Sequence, residues 1–333
     1  VGTIGGQPAQ ALLQWYRPDS LQGRFFLRRG GPEYELNLGK PLSGGRLSVE
    51  PTYPFDTTDQ GYWQLSGRPG PVLRGHWQQD GRRQVIELRE NYAGALRYRV
   101  ETLLLTGGPP EDGEDGRSCH VPTFRRDFLT PLEPGKVAPG LRAALFTTDA
   151  ARRRMMREGR EADATVSQWP DVRLNEAGLL SFQTIHYADP FGGKPQHGTQ
   201  SALYDLRTGQ ELTIASQLQP GYEHPLRQLI TTHLLHDPGF NQAITEDPEW
   251  SRRDEQGRLS TLAPLPDPQP NSFYSFEYLA LTGAGLEARY SPSSLFEAGS
   301  GEPPLTLVVP YHELLPLIRP GSALDRMLKA RGR

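Results

Sequence analysis

Several residue groups have the types and spacing of reactive chemistry. Cys119 and Arg125 stand six positions apart, as a thiol nucleophile and an anion-holding arginine would. Trp169-Pro170-Asp171 offers a carboxylate that could act as general acid beside such a thiol. A phosphate cradle, however, needs backbone amides aimed at the anion, and Pro122 removes one of them. The cysteine therefore reads as an ordinary residue near a linker. His233 and His236 are spaced to share a metal on one helix face. No further ligand cluster accompanies them, and histidine near a helix C-terminus also suits the helix dipole. Gly283-Ala284-Gly285-Leu286-Glu287-Ala288 fits the dinucleotide fingerprint G-x-G-x-x-A. That fingerprint requires a following helix, whereas Leu286, Ala288 and Tyr290 alternate with Glu287 and Arg289 as in a strand with one wet face. The glycines then form a hairpin turn. Arg152-Arg153-Arg154 with Arg157 and Arg160 could hold phosphate or an acidic partner, and reads as a solvated helix face. No catalytic residue, cofactor site or metal site is assigned from these patterns.

Positioning such residues requires a folded scaffold, and the composition supplies one. The chain has 333 residues and a formal charge of −3, with 36 Gly and 31 Pro. This is room for two domains of ordinary size. The absence of net basic charge argues against generic nucleic-acid binding. No apolar run reaches the roughly 18 residues that span a bilayer as a helix. The single cysteine excludes an internal disulfide. The sequence opens on Val1-Gly2-Thr3-Ile4, and the expectation is that a natural N-terminus has been trimmed, with any signal peptide or lipid-anchor cysteine.

Residues 1–108 read as an all-β barrel or sandwich. Tyr34, Leu36 and Leu38 alternate with polar residues, as do Leu96, Tyr98 and Val100, and Gly/Pro-rich turns separate the runs. A loose repeat places aromatics behind glycine at Gly23-Arg24-Phe25-Phe26, Gly61-Tyr62-Trp63 and Gly75-His76-Trp77. It reads as repeated strand starts with an aromatic core, an aromatic ligand platform being the alternative. Residues 109–120, acidic and rich in Gly and Pro, read as a linker. Residues 121–333 mix strands at 179–187, 201–206, 273–281, 286–290 and 305–311 with an amphipathic helix at 222–235. A short helix holding Leu314, Leu315 and Ile318 precedes Pro320. The fold class is α+β, with helices laid on an antiparallel or mixed sheet.

The stretch 179–318 resembles a known family. It runs from the strand Leu179–Tyr187 through Gly192-Gly193-Lys194-Pro195-Gln196-His197-Gly198 to Tyr204-Asp205-Leu206-Arg207-Thr208-Gly209. A helix follows, then Phe273-Tyr274, the Leu281-Thr282-Gly283-Ala284-Gly285-Leu286 hairpin and Val309-Pro310-Tyr311-His312-Glu313-Leu314. This order resembles the C-terminal domain of unknown function in RsiV-type anti-sigma factors, shared with some peptidoglycan deacetylases and envelope lipoproteins. Gly193 and His197 are separated by three residues where that family has one. The resemblance implies an extracytoplasmic domain, in the periplasm or at the cell surface, with no assigned catalytic residues. It implies lysozyme or peptidoglycan as partner.

The residues themselves point to binding at the loop and its flanking strands, at Tyr187, Lys194, Gln196 and His197. Residues 1–110 carry 13 basic and 10 acidic side chains, and the remainder 23 and 29, a net −6 that would attract a basic partner. The expectation is a non-catalytic envelope binding protein. Paired carboxylates of a hydrolase leave no spacing signature, so a hydrolase of an envelope polymer stays open, as does a structural lipoprotein.

Overall fold

Alternation of apolar and polar residues, broken by turn formers, dictates strands, and strands dominate the computed structural model. It describes residues 1–17, 20–28, 33–37, 46–51, 61–66, 70–79, 81–106, 123–145, 149–160, 164–190, 196–236, 251–253, 259–262, 279–290 and 305–332. The linker at 109–120 and Cys119 lie outside these residues, as do Lys194 and Phe273-Tyr274.

Eight antiparallel strands close a barrel: β1 (Gly2–Ile4), β2 (Gln7–Arg17), β3 (Ser20–Leu27), β4 (Glu33–Asn37), β5 (Arg46–Pro51), β6 (Tyr62–Leu65), β7 (Val72–Gln79) and β8 (Arg82–Arg89). Each pairs with the next, and Gly2 of β1 meets Leu88 of β8 to close the ring. An eight-stranded barrel is just wide enough for side chains to fill. Here the aromatic repeat fills it. Phe25 stacks on Tyr34 at 4.8 Å, and its ring centre lies 4.8 Å from Trp63 and 5.3 Å from Trp77. Phe25, Trp63 and Trp77 are all buried, so the repeat is core and not a ligand platform. Its glycines have a steric reason: a Cβ at Gly23 would lie 2.0 Å from the Leu12 carbonyl oxygen, and one at Gly75 2.3 Å from that of Gln64.

A six-stranded mixed sheet follows, with β9 (Tyr98–Thr106), β10 (Thr123–Pro131), β11 (Ala164–Glu176), β12 (Leu179–Pro190), β13 (Gln196–Asp205) and β14 (Glu211–Leu212) in the order β14-β13-β12-β11-β10-β9. Only β10 and β11 run parallel; the other pairs are antiparallel. Strand β9, read from sequence with the first 108 residues, pairs with β10 along its whole length. The change of sheet thus falls between Arg89 and Tyr98, before the Gly/Pro stretch.

Two smaller sheets complete the strands: β15 (Ser251–Arg253) with β16 (Leu259–Leu262), and β17 (Leu279–Leu281), β18 (Gly285–Tyr290) and β19 (Leu305–Pro310). The helices are α1 (Pro139–Leu145), α2 (Asp149–Arg160), α3 (Ile214–Gln217), α4 (Glu223–His236), α5 (Tyr311–Leu314) and α6 (Ala323–Ala330). Leu226 and Ile230 of α4 join Leu179, Leu203, Leu281, Val309, Tyr311, Leu324 and Met327 in one core between the large and small sheets. Helix α6 starts where Ser322 accepts a hydrogen bond from the Asp325 amide. No described helix is long and apolar enough to cross a membrane.

The reactive-looking groups take structural places. Arg125 sits in β10 and bonds Asp127 at 2.7 Å. Gly283 and Gly285 form the β17–β18 turn, where the Thr282 hydroxyl accepts from the amides of Ala284 and Gly285. His233 bonds Glu313 at 3.0 Å. Among the described residues no group of three or more His, Cys, Asp or Glu is arranged around a metal position. On α2, Met155 is buried while Arg152, Arg153, Arg154 and Arg157 are exposed.

Candidate functional site

Two places could carry function: the far end of the β12–β13 ribbon and the junction of barrel and sheet. The ribbon holds the sequence-predicted residues. Ten consecutive pairs fix it, from Leu179–Asp205 to Ala188–Gln196, and Tyr187 pairs with His197. Tyr187 is half-buried and its hydroxyl donates to Asp189 at 3.3 Å. Gln196 is exposed at the start of β13. The ribbon thus brings Tyr187, Gln196 and the backbone of His197 to one end. Lys194 and the His197 side chain lie outside what is described. On the neighbouring rung His186 is exposed, and partial burial, with Arg126, lowers its pKa.

The junction is built by two irregularities in β11. The parallel ladder with β10 joins Phe124–Arg126 to Val166–Gln168 and stops just before Pro170, whose ring has no N–H to extend it. Three residues on, the register with β12 skips Arg173, an extra residue that makes a β-bulge. Bulges re-aim side chains. Arg173 is wholly buried, pairs with Glu287 of β18, and donates to Asp171 at 3.1 Å.

Arg24 of β3 completes the connection. Its guanidinium donates to Glu33 at 3.0 Å and to Asp171 at 2.6 Å, and lies 3.7 Å from Glu35. Barrel, large sheet and small sheet therefore meet in one buried network of guanidinium and carboxylate groups. Such groups persist in an interior only when paired. Complete burial raises the Glu33 carboxyl to about 7, against the pull of Arg24. Burial likewise raises the Tyr98 phenol, with Asp171 adding to the effect. A second tie joins the same bodies: Arg331 donates to the Gly283 carbonyl at 2.7 Å, pairs with Glu176 and lies over the Phe26 ring.

Beside this network lies a cleft of about 310 Å³ between barrel and sheet. Gln14, Arg24, Glu35, Tyr98, Trp169 and Asp171 are among its walls. Tyr98 also lines an adjoining cleft of about 410 Å³ that runs to Asn91 and Asn175. Sequence reasoning missed this junction. It placed Glu287 on a wet strand face, yet Glu287 is fully buried because Arg173 and Gln183 from the large sheet cover it. It weighed Trp169-Pro170-Asp171 only as an acid loop; the three residues belong to β11 and line the cleft. A proline inside an alternating run was the available signal, since proline interrupts a ladder.

No family model matches the chain, and no curated protein matches it. Solved structures do. A DUF3298 family protein from Pseudomonas aeruginosa PAO1 aligns with a TM-score of 0.46 and 18% identity, over 68% of this chain and 97% of that one. A DUF3298 family member from Bacteroides fragilis NCTC 9343 aligns with a TM-score of 0.50 and 13% identity, over 72% and 100%. Both neighbours belong to a family with a domain of unknown function, and the likeness to the Bacteroides fragilis protein, at 13% identity, is one of fold alone.

Proposed function

We propose that this chain is a non-catalytic binding protein that works outside the cytoplasm and captures lysozyme through the end of the β12–β13 ribbon. The carrying observation is that ten registered pairs stiffen this ribbon up to Tyr187–His197 and Ala188–Gln196. Recognition residues held by rigid strands lose little freedom on binding. The net −6 of residues 111–333 favours a basic protein of the lysozyme kind. Likeness of fold to proteins with a domain of unknown function is compatible with this role and assigns no ligand. Peptidoglycan is the alternative partner.

A hydrolase reading draws on the carboxylates of the cleft, Asp171 and Glu35. Asp171, however, has one oxygen bonded to Arg24 and the other to Arg173. A carboxylate so committed serves poorly as proton donor or nucleophile, and binding is the better reading.

The test is interferometry on immobilised lysozyme with the wild-type chain and a Lys194→Ala/His197→Ala double variant. The expected result is binding by the wild type, weakened about tenfold or more in the variant, with an unchanged melting temperature. Equal binding by both, or a variant that melts early, removes the ribbon end as the site.

A further inference from the structure

Many eight-stranded barrels hold a small ligand inside. Here Phe25, Tyr34, Trp63 and Trp77 occupy the interior, with ring centres 4.8 to 5.3 Å apart. Ligand space lies instead outside the barrel wall, in the cleft of about 310 Å³ against β11. That volume sits at the small end of small-molecule sites, which begin near 300 Å³.

The walls define a chemistry. Trp169 and Tyr98 are half-buried and give flat apolar surface. Asp171 is a charged acceptor fixed in place by Arg24 and Arg173. Gln14 adds an amide that both donates and accepts, and the Tyr98 phenol, which burial keeps protonated, adds a donor. An anion would meet Glu35 and Asp171. A cation would compete with Arg24, which already lies against both. A neutral molecule with an apolar face and several hydroxyls meets neither objection.

We propose that the cleft between barrel and sheet binds a neutral saccharide, with a ring face against Trp169 and hydroxyls bonded to Asp171, Gln14 and Tyr98. Fixed carboxylates make strong, directional acceptors for hydroxyls, and an indole offers the largest aromatic surface. Glu35 and Arg24 border the site, and Arg24 and Arg173 hold Asp171 in its orientation. The site differs from the ribbon end and does not depend on capture of lysozyme.

The experiment is calorimetric titration of the full chain with tri-N-acetylchitotriose, cellotriose and maltotriose, and with spermidine and inorganic phosphate as charged probes. At least one trisaccharide is expected to bind with a Kd of about a millimolar or tighter. Trp169→Ala should weaken it about tenfold or more, and Trp169→Phe about threefold or less. Gln14→Leu keeps the bulk of the side chain and should weaken binding about fivefold, a check that stands should Trp169→Ala misfold. The Lys194→Ala/His197→Ala variant should bind the sugar as the wild type does, which separates this site from the ribbon end. Binding of no trisaccharide, wild-type affinity in Trp169→Ala and Gln14→Leu, or uptake of only a charged probe would overturn the proposal.

Discussion

The Arg24 guanidinium donates to Asp171 across 2.6 Å, joining residues 147 positions apart. One is a barrel strand residue and the other belongs to the large sheet, so this contact ties the closed barrel to a separate, open sheet. Arg24 is nearly buried, and removing it would leave Glu33 and Asp171 without their closest guanidinium in a poorly solvated place. Arg24→Ala is therefore expected to cost about 3–5 kcal/mol, because breaking a buried pair strands a charge. Urea unfolding measures it. Arg99→Ala is the control: Arg99 pairs with Glu101 in the open, and its loss should cost no more than about 1 kcal/mol.

The pH dependence of stability should carry the mark of Glu33. Its carboxyl is raised from 4.5 to about 7 by burial, with Asp171 and Glu35 adding to the effect and Arg24 opposing it. The folded protein thus holds this proton more tightly than the unfolded chain does. The stability so contributed is complete below 4.5 and is lost as pH rises through about 7. Calorimetric melting should show Glu33→Gln flattening the fall in melting temperature between about pH 5 and pH 8. An identical pH profile in wild type and variant would mean that Glu33 stays ionised when folded.

The second tie is steric. A Cβ on Gly283 would lie 2.0 Å from Cε1 of Phe26, and the Phe26 ring is itself held beneath Arg331. Gly283→Ala is expected to destabilise by about 1–3 kcal/mol through overpacking. In a Phe26→Leu background the same substitution should cost less, because the ring that it strikes is gone. A thermal-melt double-mutant cycle reads the difference.

Much of this architecture is legible in the residues. The rings behind Gly23, Gly61 and Gly75 fill the barrel as the aromatic-core reading expects, but only Gly61 stands at a strand start; Gly23 and Gly75 lie inside β3 and β7. Leu226, Leu229 and Ile230 mark the buried face of α4. The alternation at Leu286 and Ala288 rules out the helix that a dinucleotide site needs. The junction is far less legible. Arg24, the Asp171–Arg173 segment and Glu287 are remote from one another in sequence, and none of them reads locally as part of a buried charged network. Arg24, Arg173 and Glu287 become buried only because three sheets converge, a tertiary outcome that alternation does not encode. Helix α6 escapes for another reason: Pro320-Gly321 reads as a stop, yet Ser322 behind it caps a new helix. At the ribbon end, register pairs Tyr187 with His197 and Ala188 with Gln196, so Tyr187 and Gln196 sit on adjacent rungs and on opposite faces, a placement the sequence implies only if the hairpin is assumed.

The central claim is that this chain binds and does not cleave. Passing it over lysozyme-coupled resin, then incubating it with peptidoglycan sacculi and analysing the soluble fraction by chromatography, tests the claim most directly. The account predicts retention on the resin at low salt, release as salt screens the attraction, and no soluble muropeptides from the sacculi. Passage without retention, or sacculi digested to soluble fragments, would contradict it.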